Sequence, residues 1–202
     1  MNIDAIMRSA PVIPVLVLDG SLDPAALAEV LVEAGLPVIE VTLRTESALD
    51  AVRAMGSVAG AIVGAGTVLN QHMLDAALEA GAQFIVSPGL TEPLGRAAIA
   101  SGTAFLPGVA TAGDLMRGLD MGLDRFKFFP AEAAGGLPAL KSLAGPFGNV
   151  RFCPTGGIRE ETAPAWLAHP SVLCVGGSWL VQSGETDLAA IAERARRAAA
   201  LA

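Results

Sequence analysis

Two lysines stand against eleven arginines in this 202-residue chain, so the choice of an amine nucleophile is narrow from the start. Lys127 lies in Arg125-Phe126-Lys127-Phe128-Phe129-Pro130, a run with the character of a β-strand. Strand side chains alternate faces, so Phe126 and Phe128 share one face and Arg125, Lys127 and Phe129 the other. With the phenylalanines turned to covering helices, Lys127 points inward. Lysine is seldom buried without a partner or a task. Burial disfavours the ammonium form, and a neutral amine is the species that attacks a carbonyl carbon. The plainer alternative is a lysine whose stem is buried while its ammonium reaches the rim. Lys141 falls in an expected surface helix and reads as solvated.

The same alternation applied to residues 38–44 sorts Ile39, Val41 and Leu43 from Val38, Glu40, Thr42 and Arg44. The apolar set should meet helices, which turns Glu40, Thr42 and Arg44 inward, with Arg44 last in the strand and close to the rim. An inward Glu and Arg are costly unless paired or employed. Either they form an ion pair that completes the packing, or Glu40 moves protons and Arg44 grips an anion. Two glycine-rich turns, Thr155-Gly156-Gly157-Ile158 and Gly176-Gly177-Ser178-Trp179, follow late strand runs. Bare backbone N–H groups in such turns can hold a phosphate, and Ser178 can add a hydroxyl. Small residues at 64–66 and 87–89 leave room nearby, and Thr67 could bind a substrate oxygen or serve only as a turn residue. A histidine-rich metal cluster cannot be assembled from His72 and His169, both of which read as surface residues. Asp19, Asp23 and Glu132 are too scattered to argue a magnesium site, so no metal is expected.

Positioning these groups requires strands in strict alternation with helices. Short runs rich in Val, Ile or Phe cover residues 12–18, 38–44, 61–67, 84–89, 103–109, 125–131, 150–157 and 172–180. Between them, helices are expected from Asp23-Pro24 to Gly35, over 46–55, over 71–80 with Asn70 as cap, and over 92–100, 112–121, 160–167 and 186–200. Residues 133–136 read as irregular before a short helix at 137–143, and the first ten residues as an extra helix. Alternation of this kind implies a parallel sheet, and eight strands fit a single (β/α)8 (TIM) barrel over residues 1–202 with an added N-terminal helix. The competing open, doubly wound sheet needs a glycine-rich nucleotide turn after strand one, which LDGSLDPAAL lacks.

Composition and charge bound the reading. The chain is 52% hydrophobic, enough for a sizeable core, and its net charge of −7 argues against nucleic-acid binding. Cys153 and Cys174 fall on expected strands and read as buried free thiols. The N-terminus has no long apolar stretch and carries Asp4, unlike a signal peptide. No apolar run reaches the length of a membrane span. A cytoplasmic protein that binds a small molecule, without membrane or nucleic acid, is the expectation.

The segments IEVTLRT, VGAGTV, SPGLTEP, FKFFPAE, AGPFGNVRFCPTGGI and VGGSWLV, in this order along nearly the whole chain, resemble the bacterial 2-keto-3-deoxy-6-phosphogluconate (KDPG) aldolases, which often also cleave 4-hydroxy-2-oxoglutarate (KHG). The resemblance implies a class I, Schiff-base aldolase on a (β/α) barrel, typically a homotrimer. It places the Schiff-base lysine at Lys127 and the acid/base glutamate at Glu40. Substrate-binding positions fall on Arg44 and Thr67, and pocket-lining ones on Pro88 and Phe129. Phosphate-binding positions fall on Thr155, Gly156 and Gly157 and on Gly177 and Ser178. The sister enzymes for the galactonate epimer match less well around Thr155. Apart from that epimer, the other readings are a non-covalent sugar-phosphate isomerase or epimerase using Glu40 as base, and an idle barrel that only binds sugar phosphates or serves as an assembly subunit.

Overall fold

A computed structural model describes residues 1–201. In chain order it contains α1 (Ile3–Met7), β1 (Val12–Leu16), α2 (Pro24–Glu33), β2 (Val38–Thr42), α3 (Ala48–Gly56), β3 (Ile62–Gly66), α4 (Gln71–Glu79), β4 (Phe84–Ser87) and α5 (Glu92–Ala100). There follow β5 (Ala104–Val109), α6 (Ala112–Asp120), β6 (Arg125–Phe128), α7 (Gly136–Ala144), β7 (Arg151–Pro154), α8 (Ala163–Leu167), β8 (Val175–Gly177) and α9 (Leu188–Ala199). The eight strands run parallel in the order β7-β6-β5-β4-β3-β2-β1-β8. The bridges Phe152–Val172 and Thr155–Gly176 join the two ends. The expected (β/α)8 barrel is borne out.

Helix starts follow local chemistry. Asp23 accepts from the Ala25 N–H ahead of Pro24, Asn70 from Met73, and Asp187 from Ala189 and Ala190. Thr111 and Asp114 form a reciprocal capping box. Each such cap satisfies amides that the first helical turn leaves unpaired.

Period-two alternation divides the core in two. Outward side chains such as Val12, Leu16, Ile39, Val41, Val63, Ala65, Phe126, Phe128 and Phe152 pack under the helices. Inward ones, Ile13, Val38, Phe84, Val86, Leu106, Cys153 and Cys174, fill the barrel interior together with Ile6 and Met7 of α1. The N-terminal helix therefore plugs the base of the barrel. Its Asp4 reaches Arg125 on the inward face of β6 and also bonds Arg8. These bonds, Arg8 first and Arg125 second, hold the Asp4 carboxyl below its usual range.

Several expected boundaries move. β2 stops at Thr42, so Arg44 is not a strand residue. β8 is confined to Val175–Gly177, and Cys174 sits just before it. Helix α8 begins only at Ala163, because residues 159–162 form a turn closed by Thr162 bonding Arg159. Helix α7 starts at Gly136, one residue earlier than expected, where Gly135 and Gly136 take positive φ to turn the chain. Cys153 and Cys174 are free and buried; the bond to Cys153 and burial push the Cys174 thiol up. No described helix is long and apolar enough to cross a membrane.

Candidate active site

β2 and β6 bring together two residues 87 positions apart in sequence. The Lys127 ammonium donates to Glu40 Oε1 at 3.0 Å and lies 3.3 Å from Oε2. Both side chains are deeply buried, at 7% and 4% exposure. Each is the other's compensation: an ion in the interior of a barrel is tolerated only with a close opposite charge. Phe129 closes one side, with Nζ 5.5 Å from its ring centroid.

Space for the Glu40 carboxylate comes from β3. A Cβ built on Gly66 would lie 2.7 Å from Glu40 Cγ and 2.8 Å from Cδ, and closer still to Oε1. One turn of the pleat below, a Cβ on Gly64 would strike the Phe84 ring. Thr42 is fully buried and donates to the Leu16 carbonyl at 2.8 Å, so it ties β2 to β1.

Arg44 behaves differently from its expected inward position. Just past the end of β2, the chain turns, with the Arg44 N–H bonded to the Thr42 carbonyl, and the side chain is exposed at the rim. Its Nε donates to Thr67 Oγ1 at 3.1 Å. An Arg44–Glu40 pair inside the barrel is thus overturned; the partner of Glu40 is Lys127. Thr67 follows β3 with φ of 59°, rare for a residue other than glycine. That backbone turns the Thr67 hydroxyl toward an arginine on the rim. Pro88 follows β4, half-buried at the same rim.

The two glycine-rich turns converge where β7 and β8 end. Thr155 is buried and bridges Gly176, whose missing Cβ makes room for the threonine side chain. The Thr155 N–H is committed to the Phe128 carbonyl at 2.9 Å, so it is not a free anion donor. By contrast, among the described residues the N–H groups of Gly156, Gly157 and Ser178 donate to no protein acceptor. Three unspent amides and the exposed Ser178 hydroxyl suit an anion. Gly177 is buried with its Cβ side against Trp179 and Val12, a packing position.

Gly157 is glycine for a reason the sequence does not reveal. It has φ of +80°, and a Cβ there would come within 2.8 Å of Glu132 Cβ and Cγ. Its bare side faces the loop after β6 rather than open solvent. Sequence reasoning does not single out Glu132 and its hydrogen-bond donor Trp166 as site residues, although Glu132 ends the FKFFPAE segment.

Lys141 and His72 are exposed. His169 is half-buried rather than on the surface; its Nδ1 accepts from the Ser171 N–H, and burial, aided by Lys141, lowers its pKa. Among the described residues no three His, Cys, Asp or Glu side chains gather as a metal cluster would require.

Comparison with known proteins gives this geometry a family. The family model for KDPG and KHG aldolase matches residues 3–194. The 2-dehydro-3-deoxy-phosphogluconate aldolase of Zymomonas mobilis is 60% identical over 199 residues, covering 98% of this chain and 96% of the relative. The crystal structure of the Zymomonas mobilis enzyme with 3-phosphoglycerate superposes with a TM-score of 0.97, covering 99% of this chain and 96% of that one. The Legionella pneumophila KDPG aldolase, with pyruvate captured as a covalent carbinolamine, is 41% identical with a TM-score of 0.95 and covers 99% of both chains. Eight parallel strands, a buried lysine–carboxylate pair and these matches together make the chain a member of the KDPG and KHG aldolase family.

Proposed function

We propose that this protein is a class I aldolase that splits 2-keto-3-deoxy-6-phosphogluconate into pyruvate and glyceraldehyde 3-phosphate through a Schiff base on Lys127, and KHG into pyruvate and glyoxylate by the same route. One observation carries the reading: a buried amine held 3.0 Å from a buried carboxylate at the floor of a barrel. Glu40 is within reach to take the ammonium proton, which leaves Lys127 neutral to attack the C2 carbonyl. Glu40 returns that proton to the carbinolamine hydroxyl, and loss of water gives a protonated imine, the electron sink for cleavage, with the carboxylate regenerated. The C4 hydroxyl proton then goes to Glu40, directly or through a water, as the C3–C4 bond breaks. The electron pair passes into the pyruvate enamine. Protonation at C3 and hydrolysis of the imine release pyruvate and restore the amine. Proton transfer by a placed carboxyl group contributes about 10²–10⁴-fold.

Arg44, held by Thr67, grips the substrate carboxylate as a planar fork. Pro88 and Phe129 line the pocket, with Phe129 against the reacting nitrogen. The turns at Thr155–Gly156–Gly157 and Gly177–Ser178 take the phosphate; the free amides of Gly156, Gly157 and Ser178 support this. No organic cofactor enters, because the imine is itself the sink. The gluconate epimer is favoured over the galactonate one by 60% identity to a gluconate aldolase, against 27% to the KDPGal structure. A homotrimer in the cytoplasm is carried over from the family resemblance.

Borohydride reduction in the presence of pyruvate tests the chemistry. The expected outcome is irreversible inactivation with one adduct per chain on the peptide holding Lys127. An adduct on Lys141 refutes the assignment to Lys127, and no adduct at all refutes the Schiff base and leaves an isomerase or an idle binding barrel.

A further inference from the structure

The loop after β6 and the turn after β7 are fastened along three lines. First, the backbones pair: Ala131 N–H donates to Thr155 O at 2.8 Å and Glu132 N–H to Gly156 O at 3.1 Å. Second, the Glu132 stem fills the space that a side chain on Gly157 would need. Third, Glu132 Oε1 accepts from the indole N–H of Trp166 at 3.2 Å. Trp166 is 2% exposed on α8, the helix that follows this same turn, and its ring lies 6.3 Å from Phe128 of β6. Oε2 faces Gly136, where positive φ and a missing side chain again leave it room.

Glu132 is therefore a strut. One end belongs to the loop that follows the strand of Lys127, its middle lies on the turn, and its far end is docked on the helix beyond. A turn with free amides has few bonds of its own to hold its shape, since those amides are reserved for a ligand. From this geometry we infer that Glu132 is a positioning residue. Resting on the reading that this turn binds phosphate, it holds Gly156 and Gly157 with their N–H groups facing the anion. Glu132 itself touches neither the reacting carbons nor the phosphate in this role.

The test compares KDPG with unphosphorylated KHG. Glu132→Ala should raise KM for KDPG by about 10-fold, the size expected for losing one hydrogen bond to a charged group, while kcat on both substrates and KM for KHG hold. Glu132→Gln retains the stem and an acceptor for the indole, and should restore KM for KDPG. Trp166→Phe keeps an aromatic ring, removes the donor, and should behave like Glu132→Ala. Equal KM increases on both substrates, a fall in kcat on both, or no change in Glu132→Ala each overturns the strut. Ser178→Ala separates this from the reading beneath it. If Ser178→Ala weakens KDPG selectively while Glu132→Ala is indifferent, the phosphate site stands and the strut falls. If Ser178→Ala shows no preference between the substrates, the phosphate reading falls.

Discussion

Gly66→Ala adds one methyl group and separates positioning of Glu40 from mere packing around it. Gly66 is on the inward face of β3, opposite Thr42 in the sheet, with ordinary extended backbone, so alanine brings no φ strain. Its new Cβ would stand 2.7 Å from Glu40 Cγ and 2.8 Å from Cδ. Ordinary carbon contacts are about 3.5–4.0 Å, so the carboxylate must retreat by roughly 1 Å. Its 3.0 Å bond to Lys127 then lengthens beyond hydrogen-bond range. A misplacement of about 1 Å costs on the order of 10²-fold in rate, and overpacking costs about 1–3 kcal/mol of stability. Gly64→Ala is the matched control, since it overpacks the same face of the same strand with the Phe84 ring, rather than Glu40, as its nearest contact. Pyruvate release is followed with lactate dehydrogenase, and stability by thermal melting. Both variants should melt early, but only Gly66→Ala should lose turnover by about 10²-fold. Equal turnover in the two variants would refute the assignment of proton transfer to Glu40.

Two further outcomes follow. Glu40→Gln keeps the shape and an acceptor for Lys127 but cannot take the ammonium proton, so some borohydride trapping of pyruvate should remain, at a slower rate, while cleavage falls by about 10²-fold or more; a large drop in melting temperature with near-normal turnover would reject the catalytic role. Asp4, held below its usual pKa by Arg8 and Arg125, contributes stability that is present above its unfolded value of 3.8 and is lost as pH falls through the lower folded value. Hydrogen exchange in α1 should therefore accelerate in that acid window, and Asp4→Asn should show the same loosening at neutral pH; unchanged protection in Asp4→Asn would refute the anchoring role.

Alternation along a single strand is legible in the sequence itself. It turns Lys127 and Glu40 inward and Phe126 and Phe128 outward, because period two is a property of a local run. What it does not give is the partner. Lys127 meets Glu40 only when the barrel closes, so the pattern alone leaves an Arg44–Glu40 pair open. Arg44 escapes the pattern because a strand's end is set by where the ladder stops, here at Thr42, and not by the residues' own preferences. Gly157 is legible as glycine in a turn, but not as the neighbour of Glu132, since that contact joins two loops from different strands. Asp4 reads in the sequence only as a charge unlike a signal peptide, and its bond to Arg125 spans 121 residues. In each case the missing information is a distance between elements, which composition and spacing do not contain.

The plugged base of the barrel has a consequence for traffic. Ile6 and Met7 fill the lower interior, so the buried Lys127 is closed off from the base of the barrel and is approached from the opposite end, where Arg44 and Thr67 stand. With the proposed Schiff base on Lys127, the fragment joined to the lysine lies deeper and the fragment at the rim stands between it and the water. Departure is thereby queued: the aldehyde leaves first, and the three-carbon acid follows. Run backwards, the same barrel has to be loaded with the acid before the aldehyde, so an aldehyde that arrives early obstructs the mouth.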